Sequence, residues 1–141
     1  MSSTLVPIPT AIRHLPREMR RIIVVEDDIG ICAIAHRVLE GAGFEVVTIS
    51  SMSRFRQLIE TVGKFDLAVL DIKLDDGTGF DAARYLRALQ PDIPILFITG
   101  YCENDIVGSM PENSFMLTKP FDFLYFLQVV KTFFTEEPSN G

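Results

Sequence analysis

The stretch AVLDIKLDDGTGFD, residues 68–81, places four aspartates between an apolar run and a helical pattern. The apolar run LAVLD (67–71) is typical of a parallel strand that is buried on both faces. GFDAARYLRAL (79–89) has the spacing of an amphipathic helix, and Pro91 closes it. A buried strand followed by a helix is the building unit of an α/β fold, so this stretch predicts that class.

The same alternation continues on both sides of this stretch. Strands are predicted at 21–25, 45–49, 67–71, 94–99 and 115–118. Helices are predicted at 28–43, 53–63, 79–89 and 121–134. The segment 100–114 has room for a short helix, but Gly108 and Pro111 limit it. The alternation predicts a flavodoxin-like, doubly wound, five-stranded parallel sheet with strand order 2-1-3-4-5.

A chain of 141 residues with 48% hydrophobic and 23% charged residues fits one globular domain. We expect the domain to span residues 21–135, with a flexible N-terminal extension (1–20) and a C-terminal tail (136–141). No apolar run approaches the roughly 20 residues that a membrane span requires. Cys32 and Cys102 fit no metal or disulfide spacing, so free thiols and a cytoplasmic location are expected.

The net charge of −6 is unevenly distributed. Residues 1–21 carry a net charge of +3 and include three prolines, whereas residues 22–141 carry a net charge of −9. Nucleic acid is an unfavourable partner for such an acidic body, because phosphate contacts require clustered lysine and arginine.

Polar side chains follow four of the five predicted strands. Glu26 and Asp27 come after the first strand, Asp71 ends the third, Thr99 ends the fourth, and Lys119 follows the fifth. Ligands of such sheets bind beyond the carboxyl ends of the strands. An acidic pair beside a third carboxylate is unfavourable unless a cation is shared, and Mg²⁺ prefers such oxygen ligands.

These residue types also suit phosphoryl transfer. A carboxylate can act as a nucleophile toward phosphorus. A hydroxyl from Thr99 and a cation from Lys119 could then stabilise the charge on the phosphoryl oxygens.

Four motifs together resemble the receiver domain of bacterial two-component response regulators over about residues 20–135. They are VVEDD (24–28), VLDIKLDDGTG (69–79), FITG (97–100) and LTKPF (117–121). The resemblance implies that Asp71 is the phospho-acceptor. Glu26 and Asp27 would be the acidic pair of the metal site, with Asp27 favoured over Glu26 as the direct ligand, and Lys73 would offer its backbone carbonyl to Mg²⁺. Thr99 and Lys119 would be the switch hydroxyl and the site lysine.

The other acidic residues near these motifs have simpler interpretations. Asp75, Asp76 and Asp81 lie in the loop after Asp71 or at the start of the next helix, where solvated turn and helix-start roles explain them. Asp28 is expected to begin the first helix, whose dipole favours an acidic residue there.

The sequence departs from the family pattern at three places. Asp75 stands where the family often has proline, and Met116 stands where it usually has an aromatic residue, with Phe115 one residue earlier. The segment between the fourth and fifth strands is also short and interrupted by glycine. We therefore expect the phosphorylation signal to appear as backbone movement in 100–114 rather than as a ring rotation.

The resemblance implies a stand-alone signalling protein rather than an enzyme, since TEEPSNG (135–141) is too short for an effector domain. A histidine kinase or histidine phosphotransfer protein would supply the phosphoryl group, and a downstream protein would receive the signal. The chain would catalyse only its own phosphorylation and dephosphorylation. The alternative is a receiver-like binding module that is never phosphorylated.

Two enzyme or cofactor classes fit poorly. A haloacid dehalogenase-like phosphatase would need its nucleophile two residues before Asp76, but that residue is Leu74. A dinucleotide-binding domain would need a GxGxxG motif after the first strand, where EDD would instead repel a pyrophosphate.

The last helix has more apolar residues than one buried stripe needs. Nine of the 13 residues from Asp122 to Phe134 are apolar or aromatic: Phe123, Leu124, Tyr125, Phe126, Leu127, Val129, Val130, Phe133 and Phe134. A homodimer or a partner contact is the preferred interpretation, since the resembling family commonly uses the surface near this helix. The alternative cover is internal and consists of Leu5, Val6, Ile8, Ile12 and Leu15 of the N-terminal extension.

Overall fold

The computed structural model describes residues 20–100 and 110–134. Its strands there are β1 (Arg21–Val25), β2 (Glu45–Ile49), β3 (Leu67–Asp71), β4 (Lys73–Leu74), β5 (Gly77–Thr78), β6 (Ile95–Thr99) and β7 (Ser114–Thr118). Its helices there are α1 (Ile29–Gly41), α2 (Met52–Leu58), α3 (Gly79–Leu89) and α4 (Phe123–Thr132).

Five of these strands form one parallel sheet in the order β2-β1-β3-β6-β7. Because β6 and β7 are its fourth and fifth strands along the chain, the predicted order 2-1-3-4-5 and the flavodoxin-like fold are confirmed. The register pairs Val25 with Leu70, Asp71 with Ile98, and Thr99 with Thr118. The carboxyl ends of four strands therefore meet at one edge of the sheet.

The sheet has a hydrophobic core on each face. On one face α2 and α3 pack through side chains such as Phe55 and Leu86. On the other face α1 and α4 pack through side chains such as Leu39 and Phe126. Every residue of β3 and β6 is buried, as their runs of apolar residues predict for strands covered on both faces.

Helix α2 is shorter than predicted, so the expected C-terminal end at residue 63 was wrong. The helix ends at Leu58, and the backbone N–H groups of Thr61 and Val62 both donate to the Leu58 carbonyl. The Thr61 hydroxyl donates to the same carbonyl at 2.9 Å. Side-chain bonds of this kind compete with helix continuation, and Gly63 then turns the chain with a φ of +86°.

Helix α4 is also shorter than the predicted range 121–134. Asp122 is its N-cap, and one carboxylate oxygen accepts a hydrogen bond from the Leu124 N–H at 2.9 Å. Phe126 and Val130 are buried in the core, and Phe123, Leu127, Val129, Phe133 and Phe134 are partly buried against it. Leu124 and Tyr125 are exposed, so the surplus apolar surface is smaller than the sequence indicates.

A short antiparallel hairpin after Asp71 was not predicted. β4 pairs with β5 through Lys73–Thr78 and Leu74–Gly77, and Asp75 and Asp76 form its two-residue tip. Two-residue strands have no detectable alternation of apolar and polar residues, so periodicity could not reveal them. Residues 68–81 therefore form the end of a strand, a hairpin and the start of a helix, rather than a strand, a loop and a helix.

Several predictions fall on parts of the chain outside these described residues. They are the flexible extension apart from Arg20, the C-terminal tail, the free thiol of Cys102, and backbone movement within residues 101–109. Cys32 is a half-buried free thiol, as expected. None of the helices in residues 20–100 and 110–134 combines the length and apolar character needed to cross a membrane.

Candidate functional site

Three carboxylates meet at the carboxyl edge of the sheet. Glu26 and Asp27 follow β1, and Asp71 ends the neighbouring strand β3. One oxygen from each of the three lies within 4.8 Å of the others. Glu26 and Asp71 are buried and Asp27 is partly buried. The pairing of β1 with β3 thus brings together residues that are 45 positions apart in the sequence.

Each carboxylate is oriented by a backbone N–H from a nearby loop. Glu26 Oε2 accepts from Asp28 N at 2.9 Å, Asp27 Oδ2 accepts from Asp75 N at 2.8 Å, and Asp71 Oδ1 accepts from Lys73 N at 3.2 Å. Hydrogen bonds from N–H groups to ionised carboxylates are stronger than those between neutral groups. The loop after β1 and the hairpin after β3 therefore hold the three side chains in place.

Lys119 supplies the positive charge of the cluster. Its Nζ lies 2.9 Å from Glu26 Oε1 and donates to Asp71 Oδ2 at 3.2 Å. No described residue donates a well-directed hydrogen bond to Glu26 Oε1, so its contact with Lys119 is ionic in character. Burial lowers the pKa of Lys119, but the two carboxylates outweigh it and the pKa of this amine is raised. Lys119 therefore stays charged.

The pKa of Glu26 is raised to about 7, mainly by burial and also by the nearby Asp71 carboxylate. The Asp28 N–H and the Lys119 amine act in the opposite direction. One lysine thus does not balance three carboxylates at this edge. Additional positive charge there is favourable, and an all-oxygen donor set suits a hard divalent cation such as Mg²⁺. Glu26, Asp27 and Asp71 are the side chains that fit such an ion.

Thr99 and Lys73 lie next to these carboxylates. Thr99 is the fully buried last residue of β6, and its carbonyl accepts from Lys119 N at 2.7 Å. β6 is held beside Asp71 by the bond from Ile72 N to Ile98 O at 3.0 Å. Lys73 is exposed and contributes its N–H to Asp71. The roles given to Thr99 and to the Lys73 carbonyl remain predictions.

Among the other acidic residues near the site, Asp28 and Asp81 have the helix-start positions that the sequence predicts, whereas Asp76 has contacts that were not predicted. Asp28 is the N-cap of α1, with its side chain accepting from Ile31 N at 3.1 Å, as predicted. Asp81 lies in the first turn of α3 and pairs with Arg84. Asp76 instead accepts from two N–H groups of α2, which the sequence analysis missed. No local pattern signals this contact, because the partners lie 23 and 24 residues earlier.

Two of the three departures from the family pattern, Asp75 and Met116, lie among the residues that the structure describes. Asp75 is exposed at the tip of the hairpin, and its backbone rather than its side chain is bonded to Asp27. Met116 lies on β7 opposite Phe97 and packs against the core that α2 and α3 cover. Phe115 is exposed on the same strand, with an edge contact to Phe133.

Known proteins resemble this chain in sequence and in fold. The sequence profile described as the response regulator receiver domain matches residues 22–131. The response regulator receiver protein CpdR of Brucella abortus is 31% identical over 106 residues, covering 73% of this chain and 87% of CpdR. A crystal structure of a CheY-like receiver domain protein from Methanospirillum hungatei has a TM-score of 0.75 and 28% identity, covering 87% of this chain and 99% of that one.

A longer relative matches through only part of its length. The transcriptional regulatory protein ZraR of Escherichia coli K12 is 33% identical over 106 residues, which are 72% of this chain and 23% of ZraR. The chain therefore spans about a quarter of the length of that relative. Because the receiver profile covers most of the chain and the fold agrees with it, this protein belongs to the response regulator receiver domain family, whose members are signalling modules rather than classical enzymes.

Proposed function

We propose that this chain accepts a phosphoryl group on Asp71 from a phosphohistidine of a histidine kinase or histidine phosphotransfer protein, and that the reaction requires Mg²⁺. The observation that carries this proposal is the position of Asp71, between the acidic pair Glu26 and Asp27 and the amine of Lys119. A histidine kinase partner also implies a cytoplasmic location, and the signal would pass to a downstream protein.

Asp71 is the best placed of the carboxylates to be the nucleophile. It lies at the end of the central strand β3, and both of its oxygens have defined contacts, Oδ1 with the Lys73 N–H and Oδ2 with Lys119. Attack by one oxygen on phosphorus would form an acyl phosphate while the bond between phosphorus and the histidine nitrogen breaks. The released imidazole then takes a proton from solvent.

Glu26, Asp27, Asp71 and the carbonyl of Lys73 are the groups that we propose to hold Mg²⁺. When bound, this ion would neutralise charge on the phosphoryl oxygens and on the carboxylates around them. The acidic residues of the chain would otherwise repel a phosphorylated donor, since three carboxylates lie within 4.8 Å of one another.

Lys119 and Thr99 would bind the transferred group. Lys119 already contacts an Asp71 oxygen, so a short movement of its flexible side chain would place the amine beside a phosphoryl oxygen. The Thr99 hydroxyl would donate to another oxygen. The new contacts would shift an existing conformational equilibrium, with the segment 100–114 as the expected place of movement.

Incubation with acetyl phosphate and Mg²⁺ tests this function, with intact mass as the readout. We expect one phosphoryl group to be incorporated, and none when a chelator removes the metal. The alternative is a binding module that is never phosphorylated, and Asp75 in place of the usual proline favours it by adding negative charge near the site. No incorporation at any Mg²⁺ concentration would support that alternative.

We also propose that α4 contacts another protein, either a second copy of this chain or a downstream target. Leu124 is 71% exposed and Tyr125 is 54% exposed, and they are adjacent on its outer side. Deletion of residues 1–18 should leave a soluble protein with an unchanged oligomeric state. Aggregation or a new dimer after the deletion would show instead that the N-terminal extension covers this face.

A further inference from the structure

Asp76 connects the hairpin of the candidate site to the first turn of α2. Asp76 Oδ1 accepts from Met52 N at 2.8 Å, and Oδ2 accepts from Ser53 N at 3.0 Å. The first N–H groups of a helix have no partner within the helix and need an external acceptor. The local cap, Ser51, accepts from Arg54 N at 3.0 Å. Helix α2 therefore has two caps, one local and one from the hairpin.

The hairpin and α2 are also in close packing contact beside Asp76. A Cβ atom on Gly77 would lie 2.7 Å from Met52 Cγ, a distance that real Cβ contacts do not reach. Met52 is fully buried, so its side chain has little freedom to move away. Gly77 thus lets the hairpin approach the helix closely enough for both Asp76 bonds to form.

The neighbouring residue at the hairpin tip points its N–H toward the carboxylate cluster. Asp75 N donates to Asp27 Oδ2 at 2.8 Å. The tip therefore makes two contacts in different directions, one with α2 through Asp76 and one with Asp27 through Asp75. The hairpin itself is a pair of two-residue strands, and isolated pairing of that length is weak. The orientation of the Asp75 N–H then depends on the Asp76 anchor.

We propose that Asp76 is a positioning residue for the cation site: by anchoring the hairpin tip on α2, it holds the Asp75 N–H where this group orients the carboxylate of Asp27. Asp76 does not contact the ion itself. Partners that orient metal ligands in this way commonly change metal affinity by about 10–100-fold when they are removed. This inference rests on the proposed function, because it takes Asp27 to be a ligand of Mg²⁺.

The test compares Asp76→Ala with Ser51→Ala, which removes the other cap of α2 and leaves the hairpin contact intact. Mg²⁺ binding is measured by isothermal titration calorimetry on the full chain. We expect the Kd to rise about tenfold in Asp76→Ala and to stay within about twofold in Ser51→Ala, while both substitutions lower Tm. Asp76→Asn retains one acceptor oxygen and should recover part of the affinity. Equal Kd changes in both alanine variants would show that Asp76 acts only as a cap of α2, and this result would overturn the inference.

A second measurement needs no metal. Hydrogen exchange at the Asp75 amide should be faster in Asp76→Ala and in Gly77→Ala than in the wild type, and unchanged in Ser51→Ala. A wild-type exchange rate in Asp76→Ala overturns the inference whatever the metal affinity. If Asp76→Ala does not fold, the same comparison is made with Asp76→Asn.

These results separate the two proposals. Failure of the wild type to bind Mg²⁺ contradicts the proposed function. It also contradicts the claim that Asp76 controls Mg²⁺ affinity, even if the exchange result at the Asp75 amide is as expected. Wild-type binding of Mg²⁺ that is unchanged in Asp76→Ala contradicts the inference alone.

Discussion

Lys119 Nζ lies 3.2 Å from Asp71 Oδ2, so the amine of one strand end neutralises the carboxylate of another across the intervening strand β6. Lys119 is 21% exposed and the side chain of Asp71 is 5% exposed. The same amine also contacts the buried Glu26. Folding therefore buries two acidic groups, Glu26 and Asp71, whose charge is partly balanced by the single amine of Lys119.

Lys119→Met should lower the unfolding free energy of the metal-free protein by about 1–3 kcal/mol, because two buried carboxylates lose their counter-ion. The loss should be larger at pH 8 than at pH 6, since Glu26, with a pKa of about 7, is increasingly neutral at the lower pH. Urea unfolding in the presence of a chelator measures both effects. Lys64→Met, at an exposed lysine, is the control, and an equal loss in the two variants would contradict the ion-pair account.

Asp27→Ala should remove most of the Mg²⁺ affinity and raise the Tm of the metal-free protein by a few degrees. The physical reason is that three carboxylates within 4.8 Å of one another repel each other when no cation is bound. A substitution that stabilises the protein but removes ligand binding is typical of a functional site, because the residues that function requires there reduce stability. Calorimetry with and without Mg²⁺ measures it. Asp92→Ala, an exposed aspartate on the loop before β6, should leave both quantities unchanged.

Gly79→Ala should reduce stability by about 1–3 kcal/mol, because the added methyl group overlaps the backbone carbonyl of Asp71 and forces the strand end or α3 to move. Phosphoryl uptake should fall with it, since Asp71 lies at that strand end. Gly41→Ala is the matched control: it lies in the last turn of α1, and nothing is within 4 Å of its added methyl group. That variant should be stabilised by about 0.4–1 kcal/mol. Equal effects at both positions would contradict the close approach at Gly79.

Asp76→Ala should lower Tm near neutral pH, and the difference from the wild type should close in acid. Hydrogen bonds from Met52 N and Ser53 N lower the pKa of Asp76 below its ordinary value of 3.8. A carboxyl group whose pKa is lowered by folding stabilises the protein above its unfolded-state pKa, and this contribution is lost as pH falls through the folded-state pKa. Thermal melts from pH 7 down to about pH 2 measure the difference, because the folded-state pKa lies below 3.8. A constant difference across this range would show that the charge of Asp76 is irrelevant.

The sheet and the position of the site were predictable because their signals are local. Runs such as LAVLD specify buried strands. Each helix between two parallel strands forms a right-handed crossover connection, and this preference restricts the topology. The order of the strands brings Glu26, Asp71 and Lys119 to one edge without further information. For this reason, the residues at the predicted strand ends included the three carboxylates that the structure brings together.

The hairpin and its contacts were not predictable in the same way. The bond from Asp75 N to Asp27 joins residues 48 positions apart, and Asp76 reaches α2 across more than 20 positions. A turn that is exposed to solvent and a turn that packs on a helix use the same residue types. The sequence DDG (75–77) is therefore compatible with both. The early end of α2 was missed because the apolar Ile59 and Val62 continue the helical spacing, whereas the Thr61 hydroxyl bonds back to Leu58.

The most direct test of the central claim is phosphoryl incorporation into Asp71→Asn compared with the wild type and with Asp75→Asn, using acetyl phosphate and Mg²⁺. Asparagine keeps the shape of the side chain but cannot act as the nucleophile. We predict incorporation of one phosphoryl group into the wild type and into Asp75→Asn, and none into Asp71→Asn, by intact mass. Phosphate found at Asp75 or Asp76 in Asp71→Asn would contradict the assignment of Asp71 as the acceptor.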